Sequence, residues 1–224
     1  MKHRETGEFL VSKQVSSYLL AVPTPRLSAA ERRAQITDAT LELIASDGIA
    51  SLSTSRVAAA VGVTTGALFR HFSSLDAILE SVAERVVELL RSTRPPAELP
   101  PLERLTRFFE ARSALATQRS AIPRLMLSEQ LSHAMPERAR RSLRRAVRDT
   151  HALIEEVLRE GQQTGVFRDD VEPEVLAPIV IGSIQMLALH ARLRTRGGVG
   201  ADALQTALLR LLSPPPPRPR RTKR

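Results

Sequence analysis

Between residues 53 and 72 the chain reads STSRVAAAVGVTTGALFRHF, which sets five hydroxyl side chains, two arginines and a histidine among small and apolar residues. Hydroxyls and guanidinium groups donate hydrogen bonds to phosphate oxygens and to base edges, and an alanine methyl packs against a thymine methyl. Ser53, Thr54, Ser55 and Arg56 are therefore candidates for phosphate contacts, where a helix N-terminus also favours an anion. Thr64, Thr65, Ala67, Arg70 and His71 form a second candidate set, with Gly66 allowing the backbone to approach a sugar-phosphate wall.

These groups need a scaffold that aims them outward. The spacing predicts a short helix from Ser53, a sharp turn at Gly62, and a second short helix over about Thr65 to His71 capped by Thr64. Val57, Val61, Val63, Leu68 and Phe72 are the apolar anchors, and Ala58 and Gly62 let the two helices approach. This is the pattern of a helix-turn-helix, which fixes the angle at which its second helix enters a major groove. By spacing alone the same pattern also suits an ordinary helical hairpin.

The flanking sequence is helical throughout. Ser28 followed by Glu31 is a capping box opening a helix over about residues 29–46, which Asp47 and Gly48 close. A fourth helix starts near Ser74 with Leu75, Ile78, Leu79, Val82, Val86, Leu89 and Leu90 on one stripe, and stops before Pro95. The prolines between 95 and 101 are the clearest punctuation. Beyond them helices are expected at about 102–118, 123–132, 137–161, 173–194 and 201–212, with Pro178 kinking the fourth of these. The expected class is all-α, with about nine helices. The expected organisation is a flexible extension over 1–27, a helix-turn-helix domain over 28–73, a larger helical domain over 74–213, and a disordered Pro/Arg-rich tail over 214–224.

Composition narrows the functional classes. The chain has no cysteine, and its five histidines show no HExxH-like pairing, so neither a metal nor a cofactor is expected. No catalytic residues are assigned: there is no Gly-rich phosphate loop, no nucleophile with a recognisable base and no persuasive carboxylate pair. The longest apolar stretch, residues 177–189, is interrupted by Ser183 and Gln185 and is shorter than the roughly 20 residues of a membrane helix. A cytoplasmic location is expected. The net charge of +9 is weak support for a DNA site in the folded part, because residues 214–224 carry five positive charges and no negative one.

Within the pattern Ser28/Glu31, Asp47-Gly48, Val57-Ala58, Val61-Gly62-Val63-Thr64, Gly66 and Leu68-Phe69-Arg70-His71-Phe72, the chain resembles the TetR family of repressors over about residues 28–90. The resemblance implies an all-helical homodimer whose two reading helices meet successive major grooves of a pseudo-palindromic operator. It also implies a C-terminal domain that binds a small effector and releases DNA. Two positions depart from the family pattern: Phe69 stands where tyrosine is usual and Leu75 where lysine is common, both phosphate contacts in the family. Phosphate anchoring is then expected from Ser53, Thr54, Arg56, Thr64, His71 and an N-terminal arm around Arg26, with Phe69 retained in the contact set. A DNA-binding architectural or cell-division factor on the same fold, with no effector, is the alternative.

The C-terminal half is less specific. The helices over about 173–194 and 201–212 are apolar enough to pair with a second copy in a four-helix interface, although a monomer core would look the same. An effector cavity would lie among the middle helices, with Phe108, Phe109, Met126, His133, Met135, His151, Gln185 and Met186 as candidate lining residues. The basic run Arg138, Arg140, Arg141, Arg144, Arg145 and Arg148 suits a solvated face paired with Glu137 and Asp149, or an attraction for an anionic effector.

Overall fold

Ser28 opens the first helix, α1 (Ala29–Asp47), with a reciprocal pair: Glu31 N–H donates to the Ser28 hydroxyl at 3.2 Å, and Ser28 N–H donates to Glu31 Oε2 at 2.7 Å. The computed structural model describes residues 27–119, 122, 123, 125, 134–193 and 200–214. Among these residues there are eight α-helices and no strand. After α1 and a short 3-10 turn come α2 (Thr54–Ala60), α3 (Thr65–Phe69), α4 (Leu75–Ser92), α5 (Pro101–Gln118), α6 (Glu137–Gln163), α7 (Pro173–Leu193) and α8 (Ala201–Leu212). The expected helix at about 123–132 and the glycine break near 197 fall largely outside the described residues, as do the extension before Leu27 and the tail after Pro214.

Three apolar cores lie in series. The first joins Ile36 of α1, Val57 and Ala58 of α2, Val61, Leu68 of α3, Phe72, and Ile78 of α4. The second joins Leu41 and Ile44 of α1 to Leu79, Val82, Val86 and Leu90 of α4, and to Ala139, Leu143 and Ala146 of α6. The third joins Leu105, Phe108 and Phe109 of α5, Ile154, Val157 and Leu158 of α6, Val180 and Ile184 of α7, and Leu208 and Leu212 of α8. Each large helix presents an apolar arc wide enough for this, and α1, α4 and α6 each serve two cores.

One charged group is sealed between α5 and α6. The Arg104 side chain is only 3% exposed, and its Nη1 lies 2.6 Å from Glu160 Oε2 while its Nη2 lies 3.5 Å from Glu156 Oε1. Both carboxylates keep part of their hydration, so the arginine is paired without burying two full charges.

Gly161, near the C-terminal end of α6, is fixed by close packing. A Cβ there would collide with the Phe167 ring, and Phe167 is buried in the third core. Alanine would gain about 1 kcal/mol of helix propensity, but displacing a packed ring costs about 1–3 kcal/mol. Gly161→Ala is therefore expected to lower stability by about 1 kcal/mol, read as an earlier urea midpoint with an unchanged slope. A midpoint equal to or later than that of the parent protein would contradict this packing.

Candidate nucleic-acid interface and ligand cavity

α2 and α3 are seven and five residues long, far below the roughly 12–15 residues at which an isolated helix becomes stable. Capping and the first core hold them. The Ser53 hydroxyl accepts from Arg56 N–H at 3.3 Å, and the Thr64 hydroxyl accepts from Ala67 N–H at 3.1 Å. Between them α2 ends in a Schellman arrangement: Gly62 N–H donates to Ala59 O at 3.1 Å and Val63 N–H donates to Ala58 O at 2.9 Å. Gly62 takes φ +68°, a left-handed conformation that a side chain would strain.

Leu68, fully buried, and Phe72, 2% exposed, anchor α3 from below. The reading helix is shorter than the sequence pattern suggests. It ends at Phe69, because Arg70 and His71 close the turn with bonds to Ala67 O and Leu68 O that swing Phe72 into the core. A residue the sequence reading missed secures that end. The Arg33 guanidinium of α1 stacks over the Phe72 ring, 4.2 Å from its centroid, and donates to His71 O.

Around this frame Thr64, Gly66, Phe69 and Arg70 are exposed, and Thr65, Ala67 and His71 are half-buried. A Cβ added at Gly66 would meet nothing within 4 Å, so this face is open to a close approach. Ser55 and Arg56 at the start of α2 are exposed and Ser53 and Thr54 partly so. Arg56 is not free: its guanidinium pairs with Asp47 at the end of α1 and donates to Ser51 O at 3.1 Å. Phe69 projects outward with 46% of its surface exposed, whereas Leu75 packs against both the first and second cores. Arg26 lies outside the described residues.

A second concavity, of about 290 Å3, opens where α4, α5, α6 and α7 meet. Its lining comprises Leu90 of α4, Phe108, Arg112, Leu115 and Ala116 of α5, Ile122 and Pro123, Val147, Thr150 and His151 of α6, and Ile181, Ile184 and Gln185 of α7. Of the sequence candidates, Phe108, His151 and Gln185 are brought together here. Phe109 is not among the lining residues; it points into the third core. Met186 is corrected too, since it lies on the outer side of α7 with 47% exposure. Met135 is buried in the second core, and Met126 and His133 lie outside the described residues. Arg112 was missed, although an arginine four residues after Phe108 interrupts the apolar face of α5.

The basic run of α6 borders a separate polar groove with Arg91 of α4. Arg140 and Arg141 pair with Glu137, as the sequence suggests, and Arg138 lies 3.9 Å from each of Glu80 and Glu84. Among the described residues no histidine or carboxylate cluster could hold a metal, and no helix is long and apolar enough to cross a membrane.

Comparison with known proteins supplies a frame for this arrangement. The profile of bacterial regulatory proteins of the tetR family matches residues 36–82, and that of the tetracyclin repressor-like C-terminal domain matches residues 101–207. The nucleoid occlusion factor SlmA of Actinobacillus pleuropneumoniae serotype 5b is 39% identical over 70 residues, which are 31% of this chain and 35% of SlmA. The chain thus spans about a third of the length of the first curated relatives it matches. The HTH-type transcriptional repressor DhaR of Mycobacterium sp. strain GP1 is 28% identical over 163 residues, covering 70% of this chain and 80% of DhaR. The crystal structure of AibR in complex with isovaleryl coenzyme A and operator DNA superposes with a TM-score of 0.68 at 20% identity, covering 83% of this chain and all of that one. With both halves matched in order and the helical fold shared, the chain belongs to the tetR family of bacterial regulatory proteins.

Proposed function

We propose that this protein is a cytoplasmic, dimeric transcriptional repressor that reads a pseudo-palindromic operator with α3 and its flanks and leaves it when a small molecule fills the cavity. The observation that carries the reading is the exposed face of α3: Thr64, Gly66 and Arg70 point away from a helix pinned by Leu68 and Phe72. Thr65, Ala67 and Arg70 suit base edges, and Ser53, Thr54, Ser55, Arg56 and His71 suit phosphates. Phe69 supplies apolar contact with a sugar or a thymine methyl. DhaR is a named repressor, and AibR holds an acyl-CoA and operator DNA in one complex, which supports pairing the two sites.

A route between the sites is built into α4. Leu90 near its C-terminal end lines the cavity, and Ile78 near its N-terminal end sits in the first core. Twelve residues of helix separate them by roughly 18 Å, so a shift of Leu90 is carried to α3 through a rigid element. The cavity is assigned to binding and not to turnover. Its Thr150 hydroxyl donates to Ala146 O at 2.9 Å, so its proton is turned back into α6 and not toward a base in the cavity.

The dimer follows from one face of α7. Val175, Ile179, Met186 and Leu189 are 55%, 50%, 47% and 47% exposed, and they share a helical stripe with Gly182. Leu211 of α8 is also exposed, at 63%. Such a stripe suits an isologous contact with a second copy. A second reading, a DNA-binding architectural factor without an effector, is favoured by the SlmA similarity over the N-terminal part. Genome-wide occupancy separates the two: a few promoter sites support the repressor, and many dispersed sites support the architectural factor.

Two variants test the reading. With duplex DNA from the region upstream of its own gene, the double substitution Thr65→Ala, Arg70→Ala is expected to weaken binding by roughly 30-fold or more, since each base contact is worth about 1–3 kcal/mol. Its helical circular dichroism should be unchanged, and an unaltered Kd would remove α3 from the interface. Ile179→Glu is expected to halve the mass measured by light scattering and to abolish tight operator binding. A mass equal to that of the parent protein would place the dimer contact elsewhere.

A further inference from the structure

Arg112 stands apart from the other arginines around α5. Arg104 meets Glu160 and Glu156, Arg107 meets Glu103, and Arg119 at the end of the helix meets Glu42. Among the described residues no carboxylate lies within ion-pair reach of Arg112. Its Nη2 donates to Leu90 O at 3.1 Å, its guanidinium lies 5.1 Å from the centroid of the Phe108 ring, and its Nε is buried without a partner. Arg104 Nε is also unpartnered, but there two carboxylates neutralise the charge. At Arg112 the neighbouring charge is another cation, Arg94.

Burial first, and the field of Arg94 second, push the Arg112 guanidinium down to about 10. It remains a cation at neutral pH, and it is held in the wall of an apolar cavity. A desolvated cation of this kind is unfavourable until an anion meets it, and a guanidinium offers a carboxylate two parallel hydrogen bonds. Among the described residues one of its five N–H groups is committed, to Leu90 O.

We propose that the cavity takes a small organic acid, whose carboxylate is received by Arg112 and whose apolar body lies among Phe108, Leu115, Ile181 and Ile184. This deepens the assignment of the cavity as the effector site and rests on it. At about 290 Å3 the space is at the lower end of the range for ligand cavities, which favours a single ring or a short chain over a polycyclic body. Thr150, already donating to Ala146 O, can only accept from the ligand, and the Gln185 amide can do either. A neutral apolar ligand of the same size would displace water from Arg112 without replacing its charge, so the site discriminates by charge as well as by shape.

The experiment uses the full-length dimer and isothermal titration with hexanoate, octanoate, benzoate and phenylacetate, each compared with its uncharged primary amide. At least one acid is expected to bind tenfold or more tightly than its amide, and Arg112→Gln is expected to abolish that preference. Arg112→Lys keeps the charge and is expected to keep part of it. Both variants should retain parental circular dichroism. If Arg112→Gln fails to fold, the acid-to-amide ratio in the parent protein and in Arg112→Lys decides. Equal binding of acid and amide, absence of binding by all four acids, or undiminished acid preference in Arg112→Gln overturns the proposal. Anisotropy of labelled operator DNA separates the two claims. An acid that binds but leaves the DNA complex intact supports the acid site and defeats effector release; release by the amide as readily as by the acid defeats the acid site alone.

Discussion

Ile78 and Leu79 are consecutive residues of α4, yet they belong to different cores. A helix turns by roughly 100° per residue, so this single step sets the rotation of α4 about its own axis and, with it, the placement of everything on either side. The helix-turn-helix cannot choose its own orientation. Its two helices are too short to persist alone, and Val57, Leu68 and Phe72 are buried in one core with Ile36 of α1 and Ile78 of α4. The larger half is tied to the same helix through Leu79, Val82, Val86 and Leu90. A displacement that keeps one core intact must therefore be accommodated by the other, because close-packed interiors resist continuous deformation.

Two arginines of α5, one buried and one half-buried, put the same chemical group to stability in one place and, at the proposed acid site, to recognition in another. Arg104 is closed off by Glu160 and Glu156 across the α5–α6 seam, so its charge is spent inside the fold. Eight residues later Arg112 faces a cavity, bonded to one carbonyl and stacked near one ring. The first arrangement fixes the spacing of two helices. The second leaves a cation whose neutralisation is deferred to whatever enters, which ties its energetics to an external concentration.

Interactions spanning three or four residues were legible in the sequence. The caps at Ser28, Ser53, Thr64 and Ser74 each join a side chain to a backbone amide three residues on, so the pattern and the bond are the same object. The anchors Val57, Val61, Leu68 and Phe72 were equally plain, because apolar residues flanking a turn have one buried side to occupy. The end of α3 was not, since neither Arg70 nor His71 is a helix breaker and the chain leaves the helix to bury Phe72. The cavity lining was only partly readable. Phe108 and Phe109 fall on the same apolar arc, and periodicity does not say which borders empty space. Gln185 and Met186 divide similarly between cavity and outer surface. The clasp of Arg33 on His71 bridges 38 residues of sequence and leaves no local trace.

The pairing of Arg56 with Asp47 has a consequence for ions in solution. An arginine that is free before it meets a phosphate displaces a condensed counterion from the duplex and gives nothing back. Arg56 would have to leave Asp47 first, and the vacated carboxylate would then gather cations of its own. On the proposed operator this contact adds specificity of position while contributing less than a full unit to the slope of log K against log salt. On that proposal Asp47 would act as an internal stand-in for phosphate, damping attraction to arbitrary DNA more than attraction to a site where the rest of the interface fits.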